Sequence, residues 1–81
     1  MDEPKFSIFL TSLGMQAMIF LGEMPNPVNN ETKVELSRAK YMIDTIAMIK
    51  EKTQGNLSAE EQKLIDDILC GISLKYAEKN K

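Results

Sequence analysis

The sequence predicts an all-α protein with three helices in a single domain that covers residues 1–81. Three observations lead to this prediction. Apolar residues recur at helical spacing in three segments, loops that contain Pro, Asn and Gly separate the segments, and no run alternates as strands do. We place the helices at about 4–21, 34–53 and 59–77. A chain of this length has room for one modest core.

Helix 1 is the most apolar segment, and its seventeen residues from Phe6 to Gly22 carry no charge. Asp2 or Glu3 can cap its start, Pro4 is favourable in its first turn, and Gly22 is favourable at its end. A membrane-spanning helix needs roughly 20 predominantly apolar residues. The leading "MDEPK" also lacks the positive segment of a signal peptide. We therefore expect a buried or subunit-contacting helix, not a membrane span.

Helix 2 follows the loop "GEMPNPVNNETK", in which two prolines prevent a helix. Gly55 and Asn56 end it. Lys50 and Lys52 lie in its last turn, where the helix dipole favours cations.

Helix 3 begins with "SAEE", which predicts a capping box between Ser58 and Glu61. The short "TQGNLS" link predicts that helices 2 and 3 form an antiparallel hairpin. Helix 1 then packs across this hairpin or lies between subunits of a homo-oligomer.

Helix 1 has two apolar faces. The stronger face is predicted to contact the core and contains Phe6, Phe9, Leu10, Leu13, Ala17, Phe20 and Leu21. Nearly opposite lie Ile8, Met15 and Ile19, and a narrow strip of small residues, Ser7, Thr11 and Gly14, lies between the two faces. A helix that is apolar all round is buried in something larger than this chain alone. We therefore expect a homodimer or homotetramer with these six residues at the subunit contact.

Helix 2 offers a second candidate surface. Its apolar arc contains Leu36, Ala39, Met42, Ile43, Ile46, Ala47 and Ile49. On the opposite side, Tyr41 and Met48 are seven residues apart with Asp44 between them. Aromatic and methionine side chains on a charged face are typical of a surface that binds a partner protein. A subunit contact, or mere scatter of apolar residues, is the alternative.

The residue types argue against catalysis, cofactor binding and metal binding. Histidine is absent, and Cys70 is the single cysteine, so no intrachain disulfide is possible and a reducing cytoplasm is expected. The net charge of −2 argues against nucleic-acid binding. The carboxylates of the third helix and the "KEKTQGN" segment are explained by helix electrostatics and capping. We predict no catalytic, cofactor-binding or metal-ligating residue.

Two long segments carry a family resemblance: "FSIFLTSLGMQAMIFLGEMPNPV" and "AKYMIDTIAMIKEKTQGNLSAEEQKLIDDIL". They resemble the bacterial family catalogued as domain of unknown function 1844, from Phe6 to about Tyr76. The resemblance implies a small, helical, cytoplasmic protein. It implies no activity, so no functional residue is carried over from it.

The sequence thus leads to two hypotheses of different classes. The first is a non-enzymatic, oligomeric interaction or scaffold module. The alternative is a protein that binds a small apolar ligand or a membrane surface through helix 1. Coverage of Ile8, Met15 and Ile19 by a neighbouring chain would favour the first hypothesis.

Overall fold

The computed structural model describes residues 5–80 and contains three α-helices. They are α1 (Phe6–Phe20), α2 (Leu36–Lys52) and α3 (Ala59–Lys79). Each helix packs against both others, and no strand occurs within residues 5–80, so the predicted all-α class is confirmed. The proposed caps Asp2 and Glu3, and Pro4, lie outside the described residues.

The end of α1 is a Schellman motif built on Gly22. The Gly22 N–H donates to the carbonyl of Ile19 at 3.0 Å, and the Glu23 N–H donates to that of Met18 at 2.9 Å. Gly22 has φ +77°, and an added Cβ would lie 2.7 Å from a methyl group of Val34. The predicted stop at Gly22 is therefore confirmed, and the tight turn requires glycine.

The helix α2 begins at Leu36, two residues after the predicted start at 34. Val34 is extended because it forms an isolated antiparallel bridge with Leu21. The N–H of Glu35 donates to the carbonyl of Phe20 at 2.7 Å. The start of α2 is thus tied to the end of α1, and the two helices run in opposite directions.

The hairpin of α2 and α3 has the predicted signals. Gly55 has φ +85° within the connecting turn. The Ser58 hydroxyl accepts from the Glu61 N–H at 3.1 Å, and the Ser58 N–H donates to the Glu61 carboxylate at 2.8 Å. Lys50 of α2 binds Asp66 of α3 at 2.6 Å. The capping box and the antiparallel hairpin are confirmed.

The helix α3 continues to Lys79, two residues past the predicted end at 77. Its last turns are tied to the loop after α1, because Lys75 binds Glu23 at 3.1 Å and Lys79 binds Glu23 at 3.3 Å. The ends of α1 and α3 therefore lie together. These two helices run in the same direction, and α2 runs opposite to both.

The core lies where the three helices meet. Its buried side chains are Leu10, Ala17, Leu21, Ala39, Met42, Ile46, Ile65 and Ile72. Phe9, predicted to face the core, is instead half exposed, because α1 turns Leu10 and Ala17 inward. The sides of α1 and α3 that face away from α2 form an outer surface.

Candidate functional site

An open apolar groove lies between α1 and α3, with a volume of about 410 Å³. Four residues of α1 line one wall: Thr11, Gly14, Met15 and Met18. Six residues of α3 line the other wall: Leu64, Asp67, Ile68, Gly71, Ile72 and Lys75. Because most of these side chains are apolar, the groove can bind hydrophobic surface.

Gly14 brings the two walls together. It is buried, and a Cβ added there would lie 3.1 Å from Cγ2 of Ile68. A larger residue would push α3 away from α1. The small size of Gly14 is therefore used within the chain, at the contact of two of its own helices.

Two hydroxyl groups of α1 near the groove are satisfied by their own helix. The Thr11 hydroxyl donates to the carbonyl of Ser7 at 2.8 Å, and the Ser12 hydroxyl donates to that of Phe9 at 2.7 Å. These hydroxyls need no partner from outside. Apolar groups can therefore cover Thr11 and Ser12 without leaving these two donors unpaired.

The structure divides the six residues predicted at a subunit contact. Thr11, Gly14 and Met15 lie in the groove. Ile8, which is 59% exposed, and Ser7 lie beside it on α1. Ile19 is separate: it is half-buried and lies next to the loop residues Asn26, Asn29, Glu31 and Lys33.

Two residues of α3 extend this surface. An added Cβ at Gly71 would meet nothing within 4 Å among the described residues, and Leu74 is 62% exposed. The sequence analysis gave no role to Leu74 or to Gly71. The available signal was a glycine inside a helix, which costs about 1 kcal/mol relative to alanine.

Charged groups lie along the α3 side of the groove. Asp67 binds Lys63 at 2.9 Å, which raises the pKa of Lys63. Hydrogen bonds from Lys75 and Lys79 lower the pKa of Glu23, and the bond to Glu23 raises the pKa of Lys75. The groove thus has an anionic group near one end and a cationic group near the other.

A separate surface on α2 carries Tyr41, Asp44 and Met48, and we call it the α2 face. Tyr41 is 72% exposed and Met48 is 47% exposed. Asp44 accepts a hydrogen bond from Lys40 at 2.7 Å, and this bond raises the pKa of Lys40. The apolar side chains of this face are separated by an ion pair, so they form no continuous patch.

Groups for chemistry are sparse in residues 5–80. No three Asp, Glu or Cys side chains of this part of the chain are close enough to hold a metal ion. Cys70 is exposed on α3. Of the helices that the structure describes, none has the length and apolar character needed to cross a membrane. The groove is therefore the strongest candidate site, and its chemistry is hydrophobic contact.

Three mutually packed helices, with an apolar groove between two of them, define a small all-α protein. The chain belongs to the family described as Domain of unknown function (DUF1844), whose model matches residues 3–78. This match confirms the family resemblance of the sequence. No curated protein and no solved structure matches the chain.

Proposed function

We propose that this protein is a non-enzymatic, self-associating interaction module. The contact between copies is the groove face, which we define as the groove together with Ile8 and Leu74 beside it. The observation that carries the proposal is the apolar groove between α1 and α3, next to a fifteen-residue helix without charge. Burying apolar surface of this kind is the main driving force of protein association.

A second copy of the chain is the occupant that fits best. The groove face has a concave part, lined by Gly14 and Ile68, and protruding side chains, Ile8 and Leu74. A two-fold contact uses the same patch on both subunits, so that patch needs both a depression and a projection. The groove face has both.

The α2 face would remain free in such an assembly. It lies on the helix that does not line the groove, so Tyr41, Asp44 and Met48 would stay available to a different protein. We place this module in the cytoplasm, because its single cysteine, Cys70, is exposed and a reducing compartment keeps it a free thiol.

The native mass tests this proposal. We expect light scattering on a sizing column to give a multiple of 9.2 kDa that persists on dilution. Met15→Glu should shift the mass towards the monomer, because it puts a charge in the apolar contact. Met48→Glu is the matched control on the α2 face and should leave the mass unchanged. A wild-type monomer at every concentration would contradict the proposal.

A small apolar ligand is a second candidate occupant. The groove volume of about 410 Å³ lies within the range of ligand pockets, roughly 300–1,000 Å³. Titration with a fluorescent fatty acid distinguishes the two functions. Saturable binding to a monomer, lost in Met15→Glu and kept in Met48→Glu, would favour the ligand. A membrane surface is a weaker alternative, since α1 has no basic residue in its last turn to bind anionic lipid.

A further inference from the structure

No contact within the described part of the folded chain explains why residue 71 is a glycine. It lies within the 21-residue helix α3, where glycine is unfavourable, and its backbone has an ordinary negative φ. Gly14 has Ile68 against it at 3.1 Å, whereas an added Cβ at Gly71 would meet nothing within 4 Å among residues 5–80. The small size of Gly71 therefore serves no contact that the structure shows within the chain.

Gly71 is the midpoint of a row of opposite charges. Asp67, Gly71 and Lys75 are spaced by four residues, so they form one ridge along the helix. With a rise of about 1.5 Å per residue, each charged residue lies about 6 Å from Gly71 along the helix axis. Asp67 and Lys75 both border the groove.

We propose that two copies of this chain associate through antiparallel α3 helices that cross at Gly71. This inference rests on the proposed self-association and specifies its geometry. A two-fold axis at Gly71 places residue 67 of each copy opposite residue 75 of the other. Each Asp67 then faces the Lys75 of the other copy, and both ends of the ridge are complementary in charge.

The ridge is compatible with a common packing geometry. When the ridges made by every fourth residue of two helices interdigitate, the helices cross at about 50°. The ridge Asp67–Gly71–Lys75 of one copy then runs alongside that of the other. A glycine at the crossing point lets the two backbones approach closely, which is the physical reason for its presence.

The surroundings of Gly71 fit the same arrangement. Leu74, which is 62% exposed, lies three residues from the axis and would be partly covered by the α3 helix of the other copy. The helix α1 lies beside α3 in the same direction, so the axis also brings Thr11 and Met15 towards the α1 helix of the other copy. In this dimer α3 is at the centre, and α1 extends the contact.

The charges are available for this role. Asp67 binds Lys63 through Oδ2 at 2.9 Å, and Lys75 binds Glu23 at 3.1 Å and lies 3.8 Å from Glu78. A carboxylate has a second oxygen, and an ammonium group has three donors. Each group can therefore form a contact with the other copy while it keeps the contact within its own chain.

Steric blocking at Gly71 is the first test. Gly71→Leu adds a side chain where the folded chain has open space, so circular dichroism should show an intact helical fold. We expect the dissociation constant of the dimer, measured by sedimentation, to rise by about tenfold or more. Met48→Leu on the α2 face is the control and should leave that constant unchanged.

Charge reversal is the second test, because it reports the pairing of residues 67 and 75. Asp67→Lys alone and Lys75→Glu alone each put like charges opposite each other, and each should weaken the dimer. An equimolar mixture of the two variants should dimerise again, since each new charge then faces an opposite charge. Asp44→Lys, which makes the same charge change on the α2 face, should have no effect.

The outcomes separate this inference from the function on which it rests. A wild-type monomer at all concentrations would overturn both. A wild-type dimer that survives Gly71→Leu and the single charge reversals would overturn the crossing at Gly71 and leave self-association standing. We expect Gly71→Leu, Asp67→Lys and Lys75→Glu each to weaken the dimer, and the mixture of the two charge variants to dimerise again.

Discussion

The inner and outer sides of the α1–α3 pair differ in what their residues contact. On the inner side, Leu10 of α1 and Ile65 of α3 are fully buried in the core where the three helices meet. On the outer side, Met15 and Leu74 remain exposed around the groove. Both Gly14 and Gly71 line the groove, but Gly14 is packed against Ile68, whereas Gly71 faces open space. The α1–α3 pair thus has one side that forms the core and another side on which apolar side chains stay exposed.

The largest effect should come from the inner side. Ile65→Ala removes a fully buried side chain, and we expect it to lower the free energy of unfolding by about 2–5 kcal/mol. Leu74→Ala, on the outer side, should change it by about 0.5 kcal/mol or less. Urea denaturation at a concentration where the chain is monomeric compares the two variants. Similar losses of unfolding free energy in the two variants would contradict the difference between the inner and outer sides.

Gly14 should tolerate no large side chain. Gly14→Leu would force its added atoms into Ile68, which is only 3.1 Å from the position of Cβ. We expect a loss of about 1–3 kcal/mol in the free energy of unfolding, as in other overpacked contacts. Thermal unfolding followed by circular dichroism measures it. An unchanged midpoint would show that α1 and α3 separate easily at this point.

A substitution at Gly71 should instead raise the free energy of unfolding of the monomer. Gly71→Ala places a methyl group in open space within a helix, so the monomer should gain about 1 kcal/mol from helix propensity. Gly55→Ala is the control: its Cβ also meets nothing within 4 Å, but Gly55 has φ +85°. That variant should lose about 1 kcal/mol from backbone strain. A loss in Gly71→Ala, measured on the monomer, would mean that the folded chain itself uses this glycine.

The smallest effect concerns Glu23, which ties the loop after α1 to the end of α3. Hydrogen bonds from Lys75 and then Lys79 hold the pKa of Glu23 below its ordinary value of 4.5. A lowered folded-state pKa stabilises the fold above pH 4.5, and this contribution is lost as the pH falls through the lower value. We expect the unfolding midpoint to drop on acidification, and to drop less in Glu23→Gln.

Salt provides the check on this last prediction. The ion pairs of Glu23 are near the surface, so high ionic strength should weaken them and reduce the difference between the wild type and Glu23→Gln. Asp66, whose pKa is lowered by Lys50, should keep some acid sensitivity in the variant. Identical pH profiles for the two proteins at low salt would show that Glu23 does not stabilise the fold.

Local signals predicted most of the fold. Ser58 and Glu61 form the capping box that their spacing indicates, and Gly22 ends α1 with a positive φ. Helix ends that depend on distant residues were displaced. Val34 is extended because Leu21 pairs with it, and α3 reaches Lys79, next to Glu23. Such contacts are between residues far apart in the chain, so periodicity could not indicate them.

The candidate site was predictable only in part. Met15 was selected from the second apolar face of helix 1, and Thr11 and Gly14 from the strip of small residues beside it, and the three do lie together in the groove. Ile19 has the same spacing but lies beside the loop, because the chain after Gly22 folds back over it. Gly71 was missed because the sequence does not show whether a glycine within a helix is packed against a neighbour. Only the tertiary structure shows that the space beside Gly71 is open.

The sequence by itself determined three helices, the glycine stop of α1, the capping box of α3, the hairpin of α2 and α3, and an apolar excess on helix 1. These follow from residue types and from spacings of three or four. The tertiary structure alone decided that α1 and α3 run in the same direction with a groove between them. It also decided that one mid-helix glycine is packed and the other is open. Those facts depend on which faces meet in space, and local chemistry does not specify that.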